Sequence, residues 1–150
     1  MIDHVWTVLC SRAVIDKDSN NASLETALEI VTVMGAPLPQ AMLPIPFDVM
    51  TAWIRADPDI PCRGKMRLVF VLPSGETFGS PIEAEIDLTG NERHRQKVHF
   101  PGLPVAEAGR HIARVELQNE GESEWHQVAA VPLTIIFKPP EEESAAGEPE

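Results

Sequence analysis

Asp16, Asp18 and Asn20 stand at alternate positions in the stretch IDKDSNNASLET. Alternating side-chain oxygens are how a calcium loop delivers ligands to a hard cation. The EF-hand form of such a loop also needs glycine at its sixth position and glutamate at its twelfth. Counted from Asp16, those positions hold Asn21 and Ala27. A calcium site here therefore needs carboxylates from a second loop, and Asp57 and Asp59 in ADPDIPCRG are the candidates. The simpler use of Asp16, Asp18 and Asn20 is a turn, where Asp and Asn side chains bond nearby backbone and accept left-handed conformations.

The remaining reactive side chains are dispersed. The histidines are His4, His94, His99, His111 and His126, and no two have zinc-ligand spacing or a neighbouring cysteine. Cys10 reads as a small buried hydrophobe within a strand. Cys62 sits beside Arg63, and a guanidinium lowers a thiol's pKa. A nucleophile also needs a base and an oxyanion site, which the spacing does not supply. The cluster Glu92 to Arg95 (ERHR) offers arginine forks for a phosphate or carboxylate, but as a turn it reads more simply as a solvated charge cluster. No phosphate loop, nucleophile elbow or zincin helix occurs. The reading is non-enzymatic, with no cofactor.

The elements that position these residues are strands. In PIEAEIDLTG, Ile82, Ala84, Ile86 and Leu88 alternate with Glu83, Glu85 and Asp87, the period of a strand with one wet face. Lys65 and Arg67 lie on the wet side of the segment before it, and Arg95 and Lys97 on that of the segment after it. Opposite charges on facing strands stabilise by roughly 0.2–1 kcal/mol per pair. The expectation is an antiparallel meander with the acidic strand in the middle. His111, Ala113, Val115 and Leu117 share a face, and the row from Trp125 to Phe137 returns against it, with Pro132 implying an edge, a bulge or a switch between sheets, and Val128 and Ile136 a change of phase near it. His4–Asp16 and Phe47–Arg55 are further strands. SLETALEIVTVMG mixes helical spacing with the β-branched run from Ile30 to Val33, and is read as one strand. Trp6, Trp53 and Trp125 are expected in core or inter-sheet packing.

The sum is about eight strands and no helix. The fold expected is all-β, a two-sheet antiparallel β-sandwich with Greek-key links over residues 1–138, a closed barrel being the alternative. Gly35–Pro46 is a Pro-rich crossover, and 139–150 an acidic disordered tail.

The stretches VWTVLCSRAVIDKDSNNASLETALE and GLPVAEAGRHIARVEL, with the later Trp125 and VAAVPLTI, resemble a family of small bacterial proteins of unknown function. The resemblance covers roughly residues 4 to 137. It implies an Ig-like or similar sandwich and carries no activity or catalytic residue. His111 stands where the family pattern has an aromatic.

With 150 residues the chain suits one domain, and its core needs no metal or disulfide staple. The net charge is −11, of which the five tail glutamates account for five. That balance opposes non-specific nucleic-acid binding. His4, Ser11 and Arg12 interrupt the apolar N-terminal run, so it reads as neither signal peptide nor membrane span. Two cysteines without disulfide-framework spacing suit the cytoplasm. The function expected is a non-catalytic interaction or structural module with a protein partner or self-association. A calcium- or lipid-binding sandwich using Asp16–Asn20 is the alternative.

Overall fold

The charge rows on either side of Pro73–Gly75 meet as their signs require. In the computed structural model, which describes residues 1–38 and 42–140, β6 (Cys62–Val71) and β7 (Thr77–Leu88) are antiparallel. Arg63 faces Asp87, Lys65 faces Glu85 and Arg67 faces Glu83. A one-residue slip would set charged side chains opposite apolar ones, so the pairing fixes register. The next strand, β8 (Arg93–Phe100), does not continue this sheet. It pairs with β5 (Phe47–Arg55) instead, so the acidic strand is an edge and not the middle of a meander. The chain crosses to the other sheet after Leu88, where Arg55 takes the carbonyls of Leu88 and Thr89.

Among the described residues there is no helix, and the fold is all-β. One sheet has the order β2-β1-β5-β8, with β1 Ile2–Ile15 and β2 Ala22–Ala27. The other has the order β3-β11-β10-β6-β7, with β3 Ile30–Met34, β10 Gly109–Asn119 and β11 His126–Lys138. The stretch expected as one strand thus breaks at Leu28–Glu29 and serves both sheets. Thr26, at φ 46°, precedes the break in a left-handed conformation.

Two further expectations are corrected. The arrangement is not wholly antiparallel, because β3 runs parallel to β11. A crossover from one sheet to the other delivers β3 in that direction, which a tight hairpin cannot do. The Pro-rich segment is not wholly loop either: β4 (Met42–Leu43) pairs with β9 (Leu103–Pro104) in a two-stranded ribbon. The disordered tail was expected over 139–150, of which 141–150 lie outside the described residues.

One apolar core is shared by the two large sheets. Phe47, Val49 and Trp53 from β5 meet Met66, Leu68 and Phe70 from β6 and Ala113, Val115 and Leu117 from β10. Phe47 stacks on Phe100 at 4.8 Å between centroids. The phase change on β11 comes from a bulge opposite Val115 and Glu116, not from Pro132. Pro132 faces Ile112 on β10, while β3 joins only from Thr134 onward. The missing N–H therefore lies on an open side, where proline costs no ladder bond.

Candidate functional site

The Asp16–Asn20 loop is a turn held by its own side chains. Asp16 Oδ1 accepts from the backbone N–H of Asp18 at 2.7 Å and of Ser19 at 3.0 Å. These donors hold the Asp16 carboxyl below its ordinary pKa. Asn20 takes the left-handed conformation at φ 57°. Its carbonyl accepts from the Arg95 guanidinium, a cation where a calcium site would need an open oxygen. Asp57 and Asp59 do not join this loop. They follow β5 in a turn of their own, where Asp57 Oδ1 accepts from Asp59 N–H. No cluster of three His, Cys, Asp or Glu side chains able to hold a metal occurs among the described residues.

The loop reaches Arg95 because the β1–β2 hairpin curls over the outer face of its own sheet. Ala13 is buried there with Cys10 and Met50, against Trp6, Val8 and Ala22. Asp48 fastens the curl. Its carboxylate is 5% exposed and accepts from Ala13 N–H at 2.8 Å and from His99 Nδ1 at 2.7 Å. Burial pushes its pKa up, but the bonds from His99 and Ala13 and the nearby Lys97 outweigh it, so the net shift is downward. Cys10 lies beneath, its Sγ 3.7 Å from the Asp48 carbonyl, with burial first and Asp48 next holding the thiol pKa up.

Between the curled hairpin and β8 lies an open groove of about 490 Å³. Arg93, His94 and Arg95 line one side, Val5, Trp6 and Ile15 the other, with Trp53 of β5 between them and Asn21 at the roof. ERHR was expected at a turn; its Arg93–Arg95 portion instead opens β8, and the strand period puts Arg93 and Arg95 on one face.

The other reactive groups stay apart. His111 is fully buried on β10; its Nδ1 donates to the Gly109 carbonyl at 3.1 Å and its Nε2 has no partner. Burial lowers its pKa, as it does for His4, whose Nε2 lies 2.7 Å from Thr7 Oγ1. The unfolded chain thus binds protons on these two residues more readily than the folded one. Stability is therefore expected to fall as pH drops through about 6.5, the ordinary histidine value. Melting curves between pH 7.5 and 5 check this, and His111→Leu is expected to flatten the slope. An unchanged slope in that variant would contradict the assignment. His126 Nε2 lies 3.5 Å from Glu122, while His94, which does line the groove, has its Nε2 3.4 Å from Gln96. Arg63 turns to Asp87 at 3.6 Å, and the Cys62 thiol donates to the Met1 carbonyl.

Only Trp53 of the three tryptophans is in the core. Trp6 lines the groove, and Trp125 lies outside the other large sheet with the Arg67 guanidinium 4.5 Å above its ring. Arg67 bonds the buried Glu116, which also accepts from Arg114 Nε at 2.9 Å. This closed set of charges spends the arginine that was expected to serve Glu83.

One sheet edge lacks the usual protection. Edge strands commonly carry charges, proline or bulges that discourage pairing with another chain. β7 has its acidic row and Pro81, β8 has Arg93, Arg95 and Lys97, and β2 has Glu25 and the irregular Thr26. β3 reads IVTVM. Its Ile30 and Met34 are 64% and 57% exposed, and Ile136 beside them on β11 is 39% exposed. Glu29 C=O accepts from Thr134 N–H, and Gly35 N–H donates to Lys138 C=O. The strand period then turns the backbone groups of Val31 and Val33 to β11 and those of Ile30, Thr32 and Met34 outward. The β-branched run was visible in the sequence; its place at an edge depends on the sheet order.

No helix among the described residues is long and apolar enough to cross a membrane. No family model and no curated protein matches the sequence. Among solved structures, the chain is similar to the Pseudomonas fluorescens alkylpurine DNA glycosylase AlkC bound to DNA containing an abasic site analog. The TM-score is 0.45 at 7% identity, over 90% of this chain and 30% of that one. It is similar also to a family 123 glycoside hydrolase from Clostridium perfringens, with TM-score 0.47 and 6% identity over 92% of this chain and 28% of that one. For the N-terminal domain of PorA the TM-score is 0.29 at 9% identity, over 89% and 98% of the two chains. The chain thus spans under a third of the two enzymes it is similar to, and none of these likenesses bears on its chemistry.

Proposed function

We propose that this protein is a non-catalytic interaction module that self-associates through the free edge of β3. The observation that carries the reading is an uncharged, proline-free edge strand with Ile30 and Met34 exposed. A second copy fits it by symmetry. Antiparallel pairing about Thr32 sets Thr32 against Thr32 and Ile30 against Met34, a self-complementary contact of the kind a two-fold dimer requires. The outward backbone groups of Thr32 suit a hydrogen-bonded pair at the axis. The two five-stranded sheets then become continuous, which is strand addition with the same chain as partner.

We read the architecture behind this edge as an Ig-like sandwich, which the core shared between two large sheets supports. The free thiols of Cys10 and Cys62 suit the cytoplasm as its setting.

Sedimentation velocity over a concentration series tests the reading. A monomer–dimer equilibrium is expected for the natural chain, and a monomer for Thr32→Lys, which places a charge on the edge. Thr32 is exposed and its N–H points away from β11, so the variant's circular dichroism is expected to match the parent. A natural chain that stays monomeric up to about 1 mM, equivalent to less than about 4 kcal/mol of association, would overturn the proposal.

A further inference from the structure

We infer that the groove between the β1–β2 hairpin and β8 binds a small organic anion with an apolar body, a carboxylate or phosphate head being taken by Arg93. Its volume of about 490 Å³ falls within the range of small-ligand sites. Its two sides differ in chemistry as such a ligand requires. Val5, Trp6 and Ile15 give an apolar wall, and Val5 and Ile15 are exposed although nothing packs them into the core. Arg93 and Arg95 give the polar wall.

Charge is what makes the groove unusual in this molecule. The chain carries −11 overall, yet no carboxylate side chain lines the groove among the described residues. Asp16 and Asp18 of the hairpin turn are outside the lining, and Asp16 spends Oδ1 on the N–H groups of Asp18 and Ser19. Four arginines outside the groove are engaged: Arg67 and Arg114 by Glu116, Arg63 by Asp87, and Arg55 by backbone carbonyls; Arg12 and Arg110 do not line it. Arg95 is committed to the Asn20 carbonyl, which holds the roof over the groove. Arg93 has no ion pair or side-chain hydrogen bond among the described residues, and lines the same space. A guanidinium fork matches a carboxylate or phosphate in two parallel bonds. The half-buried indole of Trp6 adds aromatic surface to the apolar wall for the ligand's body.

Titration of the ¹⁵N-labelled full chain with 3-phenylpropionate and, separately, phenyl phosphate tests this. The three indole N–H signals report the three tryptophans, and Trp6→Phe assigns the one at the groove. Saturable movement of the Trp6 signal is expected with at least one probe, while that of Trp125, which stacks on Arg67 of the other large sheet and does not line the groove, stays in place. The tighter probe names the head group. Arg93→Gln is expected to weaken binding at least about tenfold, the effect of one charge-assisted bond, and Arg93→Lys less. Arg93 is exposed, so an unchanged amide spectrum is expected for both variants. No saturable shift with either probe up to about 10 mM would overturn the inference. So would equal binding by the neutral 3-phenylpropionamide, or binding unaltered in Arg93→Gln.

Discussion

Trp53→Ala is expected to destabilise the protein by about 3–5 kcal/mol, the range for removing a buried large aromatic. Trp53 is 1% exposed toward the C-terminal end of β5 and packs in the core shared by both large sheets. His4 meets its ring edge-on at 5.2 Å. Its Nε1 donates to Thr51 Oγ1 at 2.8 Å, and Thr51, itself fully buried, also lies within reach of Met66 Sδ and the Gln96 carbonyl. Alanine removes the ring and its donor together, and the rigid sheets on either side cannot close the space. Trp53→Phe keeps most of the volume and loses one buried hydrogen bond, so a smaller cost of about 1–2 kcal/mol is expected. Urea unfolding followed by circular dichroism measures both. Equal losses in the two variants would mean that the hydrogen bond, and not the ring, carries the effect.

The second large effect is at Asp48. Asp48→Ala is expected to cost about 3 kcal/mol, since it leaves the buried Ala13 N–H without an acceptor and removes the tie to His99. Asp48→Asn retains one acceptor oxygen for Ala13 and is expected to cost about half as much. Both are read from urea midpoints at constant slope. The carboxyl pKa is depressed in the folded state, so its contribution is present above the ordinary aspartate value of about 3.9 and is lost as pH falls below it. The alanine variant is therefore expected to lose less stability than the parent on acidification through that range. Because Asp48 fastens the curled hairpin, its loss also loosens the roof over the Arg93–Trp6 groove. A full-strength hairpin in Asp48→Ala, with Ala13 N–H still protected from exchange, would contradict this role.

The strands were legible where a wet face met a dry one. Glu83, Glu85 and Asp87 announce β7, and Lys65 and Arg67 announce its partner, because alternation and charge are local signals. The sheet to which β8 belongs is not local. Arg95 and Lys97 carry the right sign for β7, yet Val98 serves the core equally well from the other sheet. The split of the Ser23–Gly35 segment was hidden for a related reason: Leu24 and Val31 are apolar in either sheet, and only the turn at Leu28–Glu29 divides them. The groove was half visible. ERHR showed its arginines, but Trp6 lies far from them in sequence and is brought there by the pairing of Trp6 with Ala52 and of Ala52 with Arg95. Asp48 gave no signal at all, since a single aspartate in an apolar strand looks like an exposed residue until its two donors are seen.

The free edge of β3 is the centre of this account, and amide hydrogen exchange at single residues reads it most directly. Val31 and Val33 face β11 and are expected to be protected at every concentration. Thr32 and Met34 face outward, so their amides are expected to exchange rapidly in dilute protein and to become protected as concentration rises. Thr32 and Met34 amides that exchange at one fast rate across the whole concentration series would contradict it.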